Sequence, residues 1–472
     1  MNYLNNMKML EYCNFALLPL FKHAIISLIF ACIFSTFTKQ ELVMREQKLL
    51  FSIESALDLH PLQNFKILFD NLKADHLDSN YITGRKPFPQ QGFLKAIIFK
   101  NLTGIPTLND LSIALKNNPS AAIRCGFNIL KTLPSVERFS DFLRNKNNHG
   151  LQKIRTQLVH ELISMGLIKG NYLSIDSCPQ PAKVKENNLK TNVKDRFNKD
   201  RICKGDPDAR LGVMVTFSKS KKEISYFWGY RNHVVIDAKE ELPVWEITKP
   251  ANVQDSVMFI PIFRLIQKTF HFDVHAVMAD AIYDTASILN YIIDSLKAKP
   301  RIARNPRNTK DLPERKFSNT GNPFCEAQLE MLARGTFYDK GQNRWRRKWV
   351  CPIHHSKKTT RKYFVCPVFH PKFFSQKGCY AYVRVDEDIR NQIDYGSESF
   401  KKDFNLRTGS ERVFSRLLTI CMQNAPVIGF KATANYNTIA HITVLLVALT
   451  AAKSNSKNKI RFIKSFLPGF TP

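Results

Sequence analysis

The chain has 472 residues, 44% of them hydrophobic and 23% charged, a balance that excludes a disordered chain and leaves room for a substantial core. Seventy Lys and Arg against forty Asp and Glu give a net charge of +30. Such an excess repels itself in a compact fold and fits a polyanionic partner, nucleic acid first; a merely soluble basic protein is the plain alternative. Ten cysteines over this length exclude a disulfide scaffold and point to a reducing compartment.

Residues 1–43 form an apolar amino-terminal extension. Its run Phe15 to Phe37 has the length of a membrane span, but Lys22 and His23 fall inside it. The uninterrupted part, Ala24 to Phe37, is nearer a signal-peptide core, without a small-residue cleavage site after it. A third reading starts the functional protein at Met44, where a polar–apolar helical pattern begins; no membrane partner is expected.

Residues 44–150 read as a helical domain suited to DNA binding or to packing, with apolar residues three and four apart in "LHPLQNFKILFDNLK" and "QQGFLKAIIFKNLTGIP". Pro87, Pro89, Pro106 and Pro119 punctuate it, and Thr107 and Ser135 stand at N-cap positions. From Tyr172 the texture changes. "YLSID", "LGVMVTF", "YFWGYRNHVVIDA" and "LPVWEIT" read as strands, "DSVMFIPIFRLIQKTF" as a helix, "VHAVMAD" as a short buried strand and "TASILNYIIDSLKAK" as a helix. Antiparallel strands followed by strand–helix alternation imply a mixed α/β sheet over 165–304. Residues 305–399 form a basic Cys/His insertion, 400–452 return to helix, and 453–472 are a basic tail.

Two acids end short apolar runs, Asp176 in "SIDS" and Asp280 in "ADAIYD". A third, Glu411, lies in "FNLRTGSERVFSRLLTICM". Were that stretch one helix, Phe404, Arg407, Glu411, Phe414, Leu418 and Met422 would share a face, with Arg407 one turn from Glu411. A helix starting at Gly409–Ser410 would break that relation. Three such carboxylates can hold divalent, oxygen-preferring ions, Mg²⁺ or Mn²⁺, for in-line phosphoryl transfer. Singly, each is an ordinary cap, and Asp237, Asp255 and Asp284 have the same local look.

In context these blocks resemble the DDE transposases of bacterial insertion sequences, from about Leu50 to Ala452. "SIDS" is similar to the first-aspartate block, "WGYRNHVVIDAKEELPVWEITKPANVQDS" to the hairpin that follows, "ADAIYD" to the second-aspartate block and "RTGSERVFSRL" to the glutamate block. The resemblance implies a ribonuclease-H-like catalytic domain with Asp176, Asp280 and Glu411 as the metal-binding catalytic triad. It also implies Arg407 on a DNA phosphate, double-stranded element-end and target DNA as partners, and a homodimer or larger assembly at the nucleoid in the cytoplasm. Phe404 stands where relatives often carry Tyr, Leu418 where they carry Lys and Ala281 where Gly is common. A catalytically inactive DNA-binding protein and a ribonuclease-H-like nuclease without strand transfer are the rivals.

Cations around this core are candidate phosphate contacts: Lys183 and Lys185 after the first aspartate, and Arg346, Arg347 and Lys348 in "QNRWRRKW", with Trp345 and Trp349 as stacking surfaces. In the insertion, Cys351, His354 (or His355), Cys366, His370 and Cys379 have zinc-like spacing, with Cys325 a further thiol; a β-rich insertion with buried reduced thiols is the alternative.

Overall fold

The computed structural model describes residues 62–78, 87–218, 221–305, 322–341, 344–355, 365–384, 389–395, 397–422 and 424–463. The apolar extension and Met44 lie outside them. So do the last nine residues of the tail.

Among the described residues six α-helices come first: α1 (Gln63–Asp70), α2 (Gln90–Thr103), α3 (Leu108–Asn117), α4 (Pro119–Arg124), α5 (Val136–Asn145) and α6 (Asn148–Ser164). Thr107 caps α3 by accepting the Asp110 N–H, as its position suggests, whereas Ser135 makes no side-chain cap bond. Asn118, accepting from Ala121 N–H ahead of Pro119, caps α4. These helices do not close on themselves as a module. Their buried faces join one continuous core with the sheet and with the last long helix.

The sheet is built from β1 (Tyr172–Pro181), β2 (Arg210–Ser218), β3 (Lys221–Asp237), β4 (Leu242–Pro250), β5 (Ala276–Ala279) and β6 (Lys299–Ile302). Helix α7 (Asp255–Phe270) separates β4 from β5, and α8 (Ala286–Asn290), extended by a π turn, separates β5 from β6. The second half of β3 pairs antiparallel with both β1 and β4, β1 runs parallel to β5, and β5 parallel to β6. Along that half the order is β4–β3–β1–β5–β6, three antiparallel strands followed by two parallel ones, which is the ribonuclease-H-like arrangement. The first half of β3 forms an added hairpin with β2. The mixed α/β expectation holds; "KPRI", too short and polar to read as a strand, is the element it lacked.

The insertion carries its own antiparallel sheet of β7 (Leu332–Asp339), β8 (Arg344–Val350) and β9 (Tyr380–Arg384). Its small core holds Cys325, Met331, Trp349 and Ala381.

The carboxyl-terminal helices are α9 (Glu398–Asn405), α10 (Thr408–Leu417) and α11 (Phe430–Lys453). Helix α11 is long and apolar enough to cross a membrane, yet 94% of its most apolar window is buried by protein. Its buried polar residues each meet a partner. Asn437 bonds Gln180 and Thr248, Thr438 bonds Glu246 at 2.7 Å, and His441 stands 3.0 Å from Asn232. Burial in apolar surroundings costs such groups heavily unless paired, so this ladder fixes how α11 sits on β3 and β4.

The far end of β1 depends on one glycine. A Cβ on Gly229 would stand 2.1 Å from the Gln180 carbonyl oxygen and 2.8 Å from the Ala182 nitrogen. Gly229→Ala is therefore expected to pry β1 from β3 and cost about 1–3 kcal/mol, the range of an overpacked core. A thermal melt with a midpoint equal to wild type would show that the strands yield without cost.

Candidate active site

Strand register brings the two aspartates together. Tyr172, Leu173 and Ser174 lie opposite Ala276, Val277 and Met278, a constant offset of 104 residues. Asp280 follows β5 by one residue and keeps that offset from Asp176, which stands within β1 and not at its end, so the two acids lie level on adjacent parallel strands and on one face.

Helix α10 delivers the third acid. It begins at Thr408, with Arg407 as N-cap, so "FNLRTGSERVFSRL" is two helices and not one. The buried face of α10 is Gly409, Ser410, Val413 and Leu417; Glu411 lies on the open side, 59% exposed, and not in an apolar stripe. Gly409 lets the helix approach the sheet, since a Cβ there would sit 3.1 Å from the Ala238 carbonyl. Ser410 then shares a buried 2.8 Å hydrogen bond with Ser174, two residues before Asp176 on the same face. The small pair before the glutamate thus pins Glu411 beside the aspartates.

Despite the helix break, Arg407 still reaches Glu411. Its guanidinium donates to Asp280 Oδ1 at 2.9 Å and to Glu411 Oε1 at 3.0 Å. The half-buried Asp176 carboxylate accepts the Ser177 N–H at 2.7 Å. Enclosure, then the negative charge of Asp280, push its pKa up to about 7, against the pull of that N–H and of Arg407. Three carboxylates therefore face one guanidinium.

Behind them lies a polar cluster that sequence reasoning passed over, with Asp255 grouped among ordinary acids. Arg231 donates to Ser177 Oγ at 3.1 Å and to Asp255 Oδ2 at 3.2 Å. His233, fully buried, lies 3.4 Å from Asp255, and burial pushes its pKa down to about 4. The Tyr283 hydroxyl is enclosed without a hydrogen-bond partner and feels the charges of Asp255, Asp176 and Asp280. The pattern "ANVQDS" was the one available signal. The other two acids are caps and clamps: Asp237 accepts the N–H groups of Lys169, Gly170, Lys239 and Glu240, and Asp284 binds Arg390 and the Asn305 N–H.

Lys183 and Lys185 are exposed, in a loop folded around Val184, Cys203 and Trp228. In β8, Arg347 and Lys348 are exposed, but Arg346 is ion-paired to Asp339 at 3.0 Å. Trp349 is buried in the small core and offers no stacking face, whereas Trp345 is half exposed.

The zinc candidates are only partly brought together. Cys351 donates its N–H to the Cys379 carbonyl, and Cys325 hydrogen-bonds Cys379 through sulfur. His354 faces the Phe373 carbonyl at 3.0 Å, and His370 accepts the Lys372 N–H while its other nitrogen lies 3.5 Å from Glu326. Cys366 is buried. Among the described residues no three His, Cys, Asp or Glu side chains form a group that could hold a metal ion. Among the acids, Arg407 stands between Asp280 and Glu411.

Residues 201–351 match the family model described as transposase DDE domain. That stretch is similar to the transposase DDE domain family. The matched stretch contains Asp280, with Asp176 before it and Glu411 after it. No curated protein matches the chain. Among solved structures it is similar to a piggyBac transposase, in a cryo-EM synaptic complex with hairpin DNA, at 12% identity and a TM-score of 0.34 over 86% of this chain and 80% of that one.

The raised pKa of Asp176 has a sign that can be checked in chelator-treated protein. Folding holds a proton there between the unfolded value near 4 and the folded value near 7, so over that window rising pH destabilises the fold, by up to about 4 kcal/mol. Asp176→Asn should melt like wild type at pH 4 and higher than wild type at pH 8. Parallel melting curves at both pH values would contradict the shift.

Proposed function

We propose that the chain is a DNA transposase, cutting and joining insertion-sequence ends by metal-dependent phosphoryl transfer at Asp176, Asp280 and Glu411. The observation that carries this reading is the convergence of three carboxylates, from β1, the end of β5 and α10, on one arginine. Counted as ionised, they leave a surplus of two negative charges. That donor set, all oxygen, fits Mg²⁺ or Mn²⁺. Such ions, when bound, supply an activated water or 3′-hydroxyl and stabilise the leaving oxygen.

The chain's own residues do the rest. Asp176 and Asp280, level on adjacent strands, would hold a cation between them, and Glu411 would close the site from α10. A guanidinium competes with a cation for the same carboxylate oxygens, so loading the site requires the Arg407 bridge to open. Arg407 then becomes free to take a DNA phosphate beside the scissile bond. Arg231, held between Ser177 and Asp255, keeps the Asp176 end of β1 in place. Exposed Lys183, Lys185, Arg347 and Lys348 would carry flanking phosphates, where affinity depends steeply on salt.

Asp176→Ala, Asp280→Ala and Glu411→Ala should each lower Mg²⁺-dependent cleavage of an element-end duplex on the order of 10³-fold, with duplex binding retained. Strand joining to target DNA by wild type separates transposition from simple nuclease action. Equal cleavage by wild type and all three variants would refute the triad, and no cleavage by any would favour a DNA-binding protein without catalysis.

A further inference from the structure

At the opposite end of β1 from Pro181, a cavity of about 770 Å³ opens beneath the starts of β1, β5 and β6 and the surface of α9. Four lysines line it: Lys239, Lys297, Lys299 and Lys402. Two acids and a histidine also border it; one acid is tied to an arginine outside the cavity and the other, exposed, stands by that histidine. Asp403 accepts from the buried Arg301 guanidinium at 3.0 Å, and Asp273 lies 3.4 Å from His275. None of the four ammonium groups has a carboxylate partner among the described residues; Lys239 instead rests 3.8 Å from the centre of the Tyr172 ring. Four like charges gathered on one cavity repel each other and call for an anion that supplies several negative charges at once.

Position selects the anion. Tyr172 precedes Asp176 by four residues on β1, and at about 3.3 Å per residue the cavity begins about 13 Å from the acids. That distance is the axial rise of about four base pairs, at roughly 3.4 Å per phosphate along one strand. Lys402 on α9 is five residues from Arg407, so the α9–α10 segment links the cavity to the acids directly. The four lysines come from three segments, the turn after β3, the entry to β6 and α9, which suits a run of phosphates better than one small ion.

We infer that this lysine-lined cavity is a DNA-backbone site, holding a strand about four base pairs from the bond that the acids act on. The inference rests on the transposase reading and adds a binding site to it. Its contacts are to phosphate, so they position the duplex without reading its sequence.

The test compares the full chain with K239A/K297A/K299A/K402A, all four positions being exposed, on a random-sequence 40-base-pair duplex. Anisotropy over a range of about 50–300 mM KCl gives affinity and salt slope. At about 100 mM salt the variant is expected to bind at least about tenfold more weakly, with a log–log slope shallower by about 3–4. The lysine-to-arginine quadruple should keep both values, and acetylation of wild type should show the four lysines protected by duplex. An unchanged slope with a normal thermal midpoint, or acetylation indifferent to DNA, overturns the site. Binding of ATP that the variant loses while its DNA affinity holds overturns it in favour of a free nucleotide. Wild type that binds no duplex at all removes both this site and the transposase reading, whereas cleavage with an unchanged slope removes this site alone.

Discussion

Two carboxylates held level on neighbouring parallel strands repel each other, and most of this site follows from that. Strands in a sheet lie about 4.8 Å apart. At such spacing and an effective dielectric near 20, two full charges cost about 3 kcal/mol. Enclosure, and then this repulsion, let Asp176 hold its proton up to about pH 7, while Asp280 draws in Arg407. The register that creates this repulsion is fixed by Leu173 and Val277, fully buried in the core. A one-residue slip would turn both acids away from each other and expose that core, so the strained pair is protected by the hydrophobic pattern beneath it.

The helices serve the same end. Gly409 and Ser410 seat α10 against β1 and β3, and Glu411 arrives from the open side because its neighbours are the buried ones. Helix α11, with its ladder of Asn437, Thr438 and His441, ties β3 and β4 to the amino-terminal helices. Asp280 and Glu411 are open to solvent and joined through Arg407, while Asp176 and the Arg231–Asp255–His233 cluster behind it are more enclosed.

Much of this was legible in the sequence, for physical reasons that also explain what was not. Strands β1 to β5 announce themselves through buried alternation and aromatic, β-branched runs, and the order of acids along the chain marks two strands and a helix, although β1 runs past Asp176 to Pro181. The spacing of 104 residues between Asp176 and Asp280 even equals the strand offset, although only pairing reveals that meaning. Helix periodicity misled at Glu411: the apolar residues fit one continuous face, but the chain turns at Leu406–Arg407 and a different face is buried. The amino-terminal helices look like a separate module because a sequence cannot show that their apolar faces await α11. Asp255 resembles any helix-start acid until β3 places Arg231 and His233 against it. Trp349 and Arg346 likewise read as surface in a basic run, and only the β7–β8–β9 sheet turns one inward and pairs the other.

The central claim is that the three acids, and not the basic surface around them, are what a divalent cation meets. Mn²⁺ binding by electron paramagnetic resonance, on the full chain without DNA, tests it most directly. The account predicts saturable Mn²⁺ binding by wild type, lost in Asp280→Ala and Asp176→Ala and tightened in Arg407→Ala, where the competing guanidinium is gone. Mn²⁺ binding that is identical in wild type and in both aspartate variants would contradict it.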